Sequence, residues 1–470
     1  MQRYDLVILG AGPGGYAGAI RAAQLGLAVA LVEKDRVGGT CLNRGCVPTK
    51  ALLHAAELYH EAAHHFEQFG IGCEKLAVDA ERLYAAKDEQ VSTLRGGIEQ
   101  LLQANGVTLF EGTGRVAAPG RVEVEQNGGK GTVALAAKNI MAAVGAAPVV
   151  PPIPGAGLSG VFTSDGLLSV GEIFPRLVVI GGGVIGVEFA TLYALLGCGV
   201  TLVEAAPRIL PALGREAAQS AALQLKKQGV QIYTGATVQG IEKSEGALAC
   251  NFTAKEQQQA VQAEAVLVAT GRRPALENLF AEGAAPRMAG GFVEVNGHFE
   301  TSLPGLYAIG DITPGPQLAH AATAAAITAV EHMAGHSGAP KGPVPSCLYT
   351  LPEIAVVGLN EEAAAKKGIA VTVQKFLMGG NARVLASGAG RSYIKLLAEA
   401  ESGRLLGAEM VCPRATDMIA TAALAIQKGM KAEELDDIVY PHPTFSEGLG
   451  EAAALFKGAG IHTLPPKKRG

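Results

Sequence analysis

A chain of 470 residues with 39 Lys and Arg against 43 Asp and Glu carries a net charge of −4, which excludes nucleic-acid binding through a basic surface excess. An apolar fraction of 49 % and 62 glycines without a three-residue period exclude disorder and collagen. At roughly 150 residues per domain the length corresponds to about three domains.

The chain opens with an apolar strand, Leu6–Leu9, that runs into GAGPGG at Gly10–Gly15 and then into a helix. No basic n-region precedes it, so the expected location is cytoplasmic. The same unit recurs 171 residues later, where Leu177–Ile180 leads into GGGVIG at Gly181–Gly186. That offset also maps Leu25-Gly26 onto Leu196-Gly197 and the strand ending in Glu33 onto the one ending in Glu204. Each unit reads as a complete βαβ. Gly10 and Gly181 make the tight turn, Gly12 and Gly183 admit a pyrophosphate, and Gly15 and Gly186 let the helix pack closely. The phosphates then lie on a helix N-terminus, and Glu33 and Glu204 are placed to accept hydrogen bonds from a ribose 2′-OH. One such motif alone could be a plain tight turn. Two in register point to two bound dinucleotides. The carboxylate of Glu204 would repel a 2′-phosphate and Arg208 stands alone, which favours NAD over NADP.

Between the first unit and the next helix stands GGTCLNRGCVPTKALLHAAEL, with Cys41 and Cys46 five positions apart and Pro48 marking the first turn of a helix through Leu58. The helix N-terminus favours a thiolate at Cys46. In a regular helix the two cysteines would lie about 140° apart, so a disulfide needs a distorted start, which Gly45 can provide. Lys50 falls on the face of Cys46. As a staple the bridge would add only about 2 kcal/mol, and the alternative of two buried thiols suits a polar loop poorly. Seven cysteines, an odd number, form no disulfide scaffold. Cys73, Cys198, Cys250, Cys347 and Cys412 read as small hydrophobes.

Two uncharged stretches, 139–164 and 312–330, contain prolines or polar residues that argue against a membrane span. A strand is expected at Leu306–Ile309, followed by Asp311 and an Ala-rich helix. Further strands are expected at Tyr393–Ala398 and Leu405–Val411. No metal site is apparent. His442, flanked by Pro441 and Pro443 and five residues before Glu447, fits a surface pair as well as a rigidly held catalytic imidazole.

Taken in order, GGTCLNRGCVPTK, the two glycine motifs, TGRRP at Thr270–Pro274, LYAIGD at Leu306–Asp311 and HPTFSE at His442–Glu447 resemble the pyridine nucleotide-disulfide oxidoreductases, most closely their dihydrolipoamide dehydrogenase branch. The resemblance implies an α/β fold of two Rossmann-like domains, for FAD (1–148) and NAD (149–271), a central domain (272–342) completing the FAD site, and a C-terminal α+β dimerisation domain (343–470). It implies that Cys41 exchanges with substrate and Cys46 contacts the flavin. His442, oriented by Glu447, would act as base and acid, reaching the disulfide from the other subunit of a homodimer. Lys50 and Glu188 would lie by the flavin N5, and Asp311 would bind the ribityl chain, with Gln317, Leu318, Ala319 and His320 as flavin contacts. Thr40, Gly114 and Gly145 would complete the FAD site, and Val184, Ile185, Val238 and Gly271 the NAD site.

The implied reaction oxidises dihydrolipoamide and delivers hydride to NAD, the lipoyl group coming from an acyltransferase or H-protein of a 2-oxoacid dehydrogenase or glycine-cleavage complex. An NADPH-dependent disulfide reductase of the glutathione reductase type is the nearest rival. A redox pair near the C-terminus is not expected, because the last cysteine is Cys412. Tyr440 and Leu351 depart from the branch pattern, which bears on the substrate rather than on the reaction class. An inactive flavin-bearing scaffold is opposed by intact Cys41, Cys46, Lys50, His442 and Glu447.

Overall fold

The computed structural model describes residues 1–338 and 342–464. Four apolar residues before each glycine turn make strands that can be covered on both faces. In the first sheet Gln2–Leu9 lies parallel between Val29–Glu33 and Thr132–Ala142. Thr108–Ala118 adds beyond Val29–Glu33, and Leu306–Ala308 adds beyond Thr132–Ala142. The antiparallel strand Arg121–Gln126 links the far ends of Thr108–Ala118 and Thr132–Ala142.

The second sheet repeats this plan with Gln231–Thr234, Gly199–Glu204, Arg176–Ile180, Ala265–Val268 and Val161–Thr163, all parallel, beside an antiparallel meander over 236–263. Leu6 opposite Val29 in the first unit becomes Leu177 opposite Val200 in the second, so the offset of 171 holds at the level of strand register. Leu6, Val7, Ile8 and Leu177, Val178, Val179 are at most 1 % exposed. Burying each such side chain is worth about 1.5–3 kcal/mol.

The links between the units pair with each other, Ala146–Pro148 against Arg272–Pro274, so the chain enters and leaves the second unit through one short two-stranded ribbon. The remaining strands form an antiparallel sheet in the order Ser346–Leu348, Ile354–Gly358, Leu405–Val411, Tyr393–Glu399, Val371–Leu377. Helices Ala415–Lys428 and Glu447–Ala454 pack on it. Buried Lys395 ties this sheet to the second unit through Glu216 at 3.3 Å, while Glu409 at 3.0 Å and Glu361 at 2.9 Å hold its ammonium from within the C-terminal region.

Several boundaries move. The helix with Cys46 at its N-terminus and Pro48 in its first turn begins at Cys46 and runs past Leu58 to His64, and the strand expected to end at Ile309 ends at Ala308. Cys250 and Cys412 are buried as small hydrophobes should be, and Cys198 and Cys347 are half-buried. Cys73 is exposed, which does not suit its reading as a small hydrophobe; its stretch, 70–78, lies outside regular structure and most of it is exposed. Among the described residues no helix is long and apolar enough to cross a membrane. The Ala-rich stretch forms a 15-residue helix, Ala319–Met333.

Candidate active site

The two cradles match in turn conformation and hydrogen bonding. Gly10 (φ 98°) and Gly181 (φ 108°) adopt a conformation that L side chains rarely adopt, and their amides donate to Val32 O and Val203 O, both at 2.8 Å. A Cβ on Gly15 would strike Gly10 O, and one on Gly186 would strike Gly181 O. In front of Gly12 and Gly183 a Cβ would meet nothing within 4 Å. Each of these two glycines caps a helix whose first amides receive no side-chain cap, with Val184 and Ile185 opening the second helix. Open space before uncapped amides is what a pyrophosphate requires.

Glu33 Oε2 accepts from Ala11 N at 2.7 Å and Oε1 from Asp35 N at 2.9 Å. Glu204 repeats this with Gly182 N at 2.5 Å and Ala206 N at 2.6 Å. Both carboxylates are held at the tip of the second strand, where a ribose would lie. Arg208 is turned away, its guanidinium bonded to Glu362 at 2.9 and 3.0 Å, so no free arginine on this loop meets a 2′-phosphate.

The cysteine segment crosses the first cradle. Gly38 N donates to Ala11 O at 2.8 Å, and a Cβ on Gly39 would come within 2.7 Å of Gly12 Cα. Cys41 and Thr40 lie in a short helix, Gly39–Arg44. Gly45 (φ −144°, ψ −111°) interrupts it, and Cys46 begins the next helix. A side chain at Gly45 would approach Thr40 O to 2.9 Å, so the break that brings the cysteines together is reserved for glycine. Both are thiols, Cys41 half-buried and Cys46 exposed. The Cys46 thiol is lowered to about 7, first by the hydrogen bond with Cys41, then, against some burial, by the Lys50 ammonium. Cys41 is driven the other way by that same hydrogen bond, by burial and by the neighbouring sulfur. One thiolate and one thiol is the division of charge that dithiol exchange uses.

Lys50, one turn on, bonds Glu188 at 2.7 and 2.9 Å, and the Glu188 side chain is 5 % exposed. A buried carboxylate needs such a partner. Sequence reasoning missed Tyr349, whose amide donates to Glu188 Oε1 at 3.2 Å and whose ring lies under the Lys50 ammonium at 4.6 Å. Three segments therefore meet here: the cysteine helix, the second cradle's helix and the C-terminal sheet.

Asp311 sits in a helical turn after Leu306–Ala308. Burial raises its carboxyl, opposed by Arg272, another residue that sequence reasoning left out. Gln317 Nε2 donates to Asp311 O at 3.3 Å. Leu318 caps helix Ala319–Met333, which packs on the first cradle's helix, while the His320 ring is engaged by Pro345 O at 2.7 Å. Gly145 and Gly271 flank the two-stranded link, where Ala275 N donates to Gly145 O and Val149 N to Gly271 O, both at 2.9 Å. Gly114 is a packing position, where a Cβ would press on Leu9 at 2.6 Å. Val238 packs against the core of the second unit.

His442 Nδ1 lies 2.7 Å from Glu447 Oε1, and Thr444 N donates to Glu447 Oε2 at 2.7 Å. Burial would raise the Glu447 carboxyl, but the Thr444 amide, the hydrogen bond with His442 and the charge of His462 hold it below the usual range. The His442 side chain is 71 % exposed. Among the described residues no hydrogen bond joins it to the cysteines within the chain, so the structure brings the expected residues together as two separate groups.

Comparison with known proteins matches residues 4–326 to the family described as pyridine nucleotide-disulphide oxidoreductase and residues 344–453 to its dimerisation domain. Dihydrolipoyl dehydrogenase of Thermus scotoductus is 42 % identical over 99 % of this chain and 100 % of its own. That of Geobacillus stearothermophilus is 39 % identical over 98 % and 97 %. Among solved structures, the HOCl-induced flavoprotein disulfide reductase RclA of Escherichia coli superimposes with a TM-score of 0.85 at 29 % identity, over 96 % of this chain and 100 % of its own. The open, uncapped cradles fit FAD and NAD, the cofactors of the family, and the matched dimerisation domain equips the chain to form a homodimer. The chain belongs to the pyridine nucleotide-disulphide oxidoreductase family.

Proposed function

We propose that this protein oxidises dihydrolipoamide with NAD through a Cys41–Cys46 redox disulfide. The observation that carries the reading is the thiol pair at the broken helix start, one sulfur poised as thiolate, lying across the first cradle and one helical turn from the Lys50–Glu188 pair. The names of the relatives 39–42 % identical along nearly the whole chain support the substrate.

In the proposed reaction His442, whose Nδ1 is held by Glu447, uses Nε2 to take a proton from one thiol of dihydrolipoamide. The resulting thiolate attacks Cys41 Sγ, the Cys41–Cys46 bond breaks, and Cys46 leaves as a thiolate. The second substrate thiol then displaces Cys41, which takes the proton held on His442 as it leaves, while the freed imidazole accepts the proton of the attacking thiol, and lipoamide departs as a disulfide. Lys50 stabilises the charge on Cys46. When bound, FAD and NAD carry the electron pair onward and restore the cysteine disulfide, for a net dihydrolipoamide + NAD⁺ → lipoamide + NADH + H⁺. Gly10, Gly12, Gly15, Glu33, Thr40 and Asp311 would hold FAD. Gly181, Gly183, Gly186 and Glu204 would hold NAD.

His442 acts in this reading from the partner subunit of a homodimer. The lipoyl group arrives on an acyltransferase or H-protein of a cytoplasmic multienzyme complex. The domain limits, 1–148, 149–271, 272–342 and 343–470, belong to the same proposal. A glutathione reductase-type activity is disfavoured by Arg208, which is committed to Glu362. Steady-state assay of the purified holoprotein separates the readings. NADH formation from dihydrolipoamide, at least about tenfold faster than with NADP, supports the proposal. Oxidation of NADPH by glutathione disulfide with no dihydrolipoamide turnover refutes it.

A further inference from the structure

The His442–Glu447 pair has a second copy one helical turn away. Glu451 follows Glu447 by four residues on helix Glu447–Ala454, which puts both carboxylates on one face. His462 Nδ1 lies 2.6 Å from Glu451 Oε1, and His462 N donates to Glu451 Oε2 at 3.3 Å. At Glu447 the arrangement is the same, imidazole Nδ1 on Oε1 and a backbone amide on Oε2. The Glu451 carboxylate is 16 % exposed while the His462 ring is 68 % exposed. The ring's pairing with Glu451 keeps it protonated above the usual histidine range, and Glu447 adds to the effect.

We infer that the His462–Glu451 ion pair is a charge-neutral clamp that holds the segment around His462 against the helix carrying Glu447, and that His462 acts as a positioning residue for His442 through Glu447. The inference rests on the proposed role of His442 as the proton acceptor. If both partners are charged, the pair as a whole leaves the potential at His442 nearly unchanged. Removing one partner exposes the charge of the other. The charged groups on elements packed against this helix have partners of their own: Glu433 lies 3.9 Å from the Lys431 ammonium, Glu434 Oε2 accepts from Lys431 N at 2.5 Å, and Glu399 pairs with Arg404 at 3.5 Å. Asp436 and Asp437 pair with Lys457. Lys375 and Lys395, on the strands beneath, pair with Glu216. The Tyr440 ring faces Gly450 and its hydroxyl donates to Leu435 O.

This makes the two single substitutions opposite in sign. His462→Gln leaves Glu451 as an extra negative charge, so a neutral base one turn away is protonated more readily and the acid limb of the kcat profile moves to higher pH. Glu451→Gln removes a negative charge and leaves His462 able to carry a positive one, so the limb moves to lower pH. For a screened pair at the surface each shift is about 0.3 of a pH unit, and it shrinks as salt rises. The double variant H462Q/E451Q returns the limb to its original place.

The test is the pH profile of dihydrolipoamide:NAD turnover by the holoenzyme for the wild type, both single variants and the double variant, at low and high salt. NADH oxidation by ferricyanide, which does not use His442, serves as the control. In ring-labelled protein the His442 resonance is followed through the same pH range. Opposed shifts that cancel in the double variant, seen in both readouts, support the inference. Shifts of one sign in both single variants, no shift in either, or a double variant whose limb stays displaced, reduce the pair to a structural tether and overturn it. A wild type that does not turn over dihydrolipoamide refutes the proposed function, and the His442 resonance alone then decides the clamp.

Discussion

The two dinucleotide cradles share strand register, turn conformation and even the bonding of the acidic residue, yet their surroundings differ. Over the first passes the segment bearing Cys41 and Cys46, pinned by Gly38 N on Ala11 O. Over the second passes the loop through Leu210, whose amide donates to Gly182 O at 2.7 Å and which contains no cysteine. The first helix is flanked by Ala319–Met333, returning from later in the chain. The second is buried along nearly its whole length and contributes Glu188 toward the cysteine helix. A duplicated binding unit thus becomes a directional pair through what lies on each copy, with Lys50–Glu188 as the bridge between them.

The sharpest way to break this comparison is to damage each cradle in turn. Gly15→Ala drives a methyl into Gly10 O and should give a colourless protein with no turnover, read by visible absorbance and flavin content. Gly186→Ala makes the same collision with Gly181 O and should give a yellow protein that dihydrolipoamide still reduces, with NAD-linked turnover down at least about 10²-fold. Loss of flavin from the second variant and not the first would reverse the assignment of the cradles.

The substitution Cys46→Ser should lower dihydrolipoamide oxidation by about 10³-fold or more while sparing NADH oxidation by ferricyanide. Equal loss of both activities would contradict the assigned roles. His442→Gln should cost about 10²–10⁴-fold in kcat, again leaving the ferricyanide reaction unchanged.

A smaller effect concerns charge at the thiol pair. With Cys46 lowered to about 7, the reduced protein holds a thiolate above that pH and loses it as pH falls below. Iodoacetamide labelling of Cys46 should therefore slow progressively below about pH 7. In Lys50→Met the midpoint should rise, because the ammonium is lost and Glu188 is left as an unpaired neighbour. Smallest of all, Arg208→Ala should change the KM for NAD by less than about threefold, since its guanidinium already serves Glu362.

The repeat, the cysteine pair and the acidic tips were legible because each is local: a strand, a turn and a helix within about thirty residues. Local patterns also gave the strands Leu6–Leu9 and Leu405–Val411, the second to the residue. What stayed hidden depends on contacts across the chain. Tyr349 reaches Glu188 over a separation of 161 residues, and nothing beside either residue announces it. The helix begun at Cys46 runs on to His64 rather than ending near Leu58. The exposure of Cys73 follows from a loop without regular structure, which cysteine's usual burial did not foretell. His442 and Glu447 were legible as a pair, whereas their separation from the cysteines within one chain follows only from the fold.

The most direct test is anaerobic addition of one equivalent of dihydrolipoamide per subunit to the purified yellow holoprotein, followed by NAD⁺, with thiols counted and absorbance followed at each stage. The account predicts two new protein thiols per subunit, assigned to Cys41 and Cys46, and then one equivalent of NADH as those thiols disappear. Flavin that remains oxidised with no new thiols, in protein that NADPH nevertheless reduces, would contradict it.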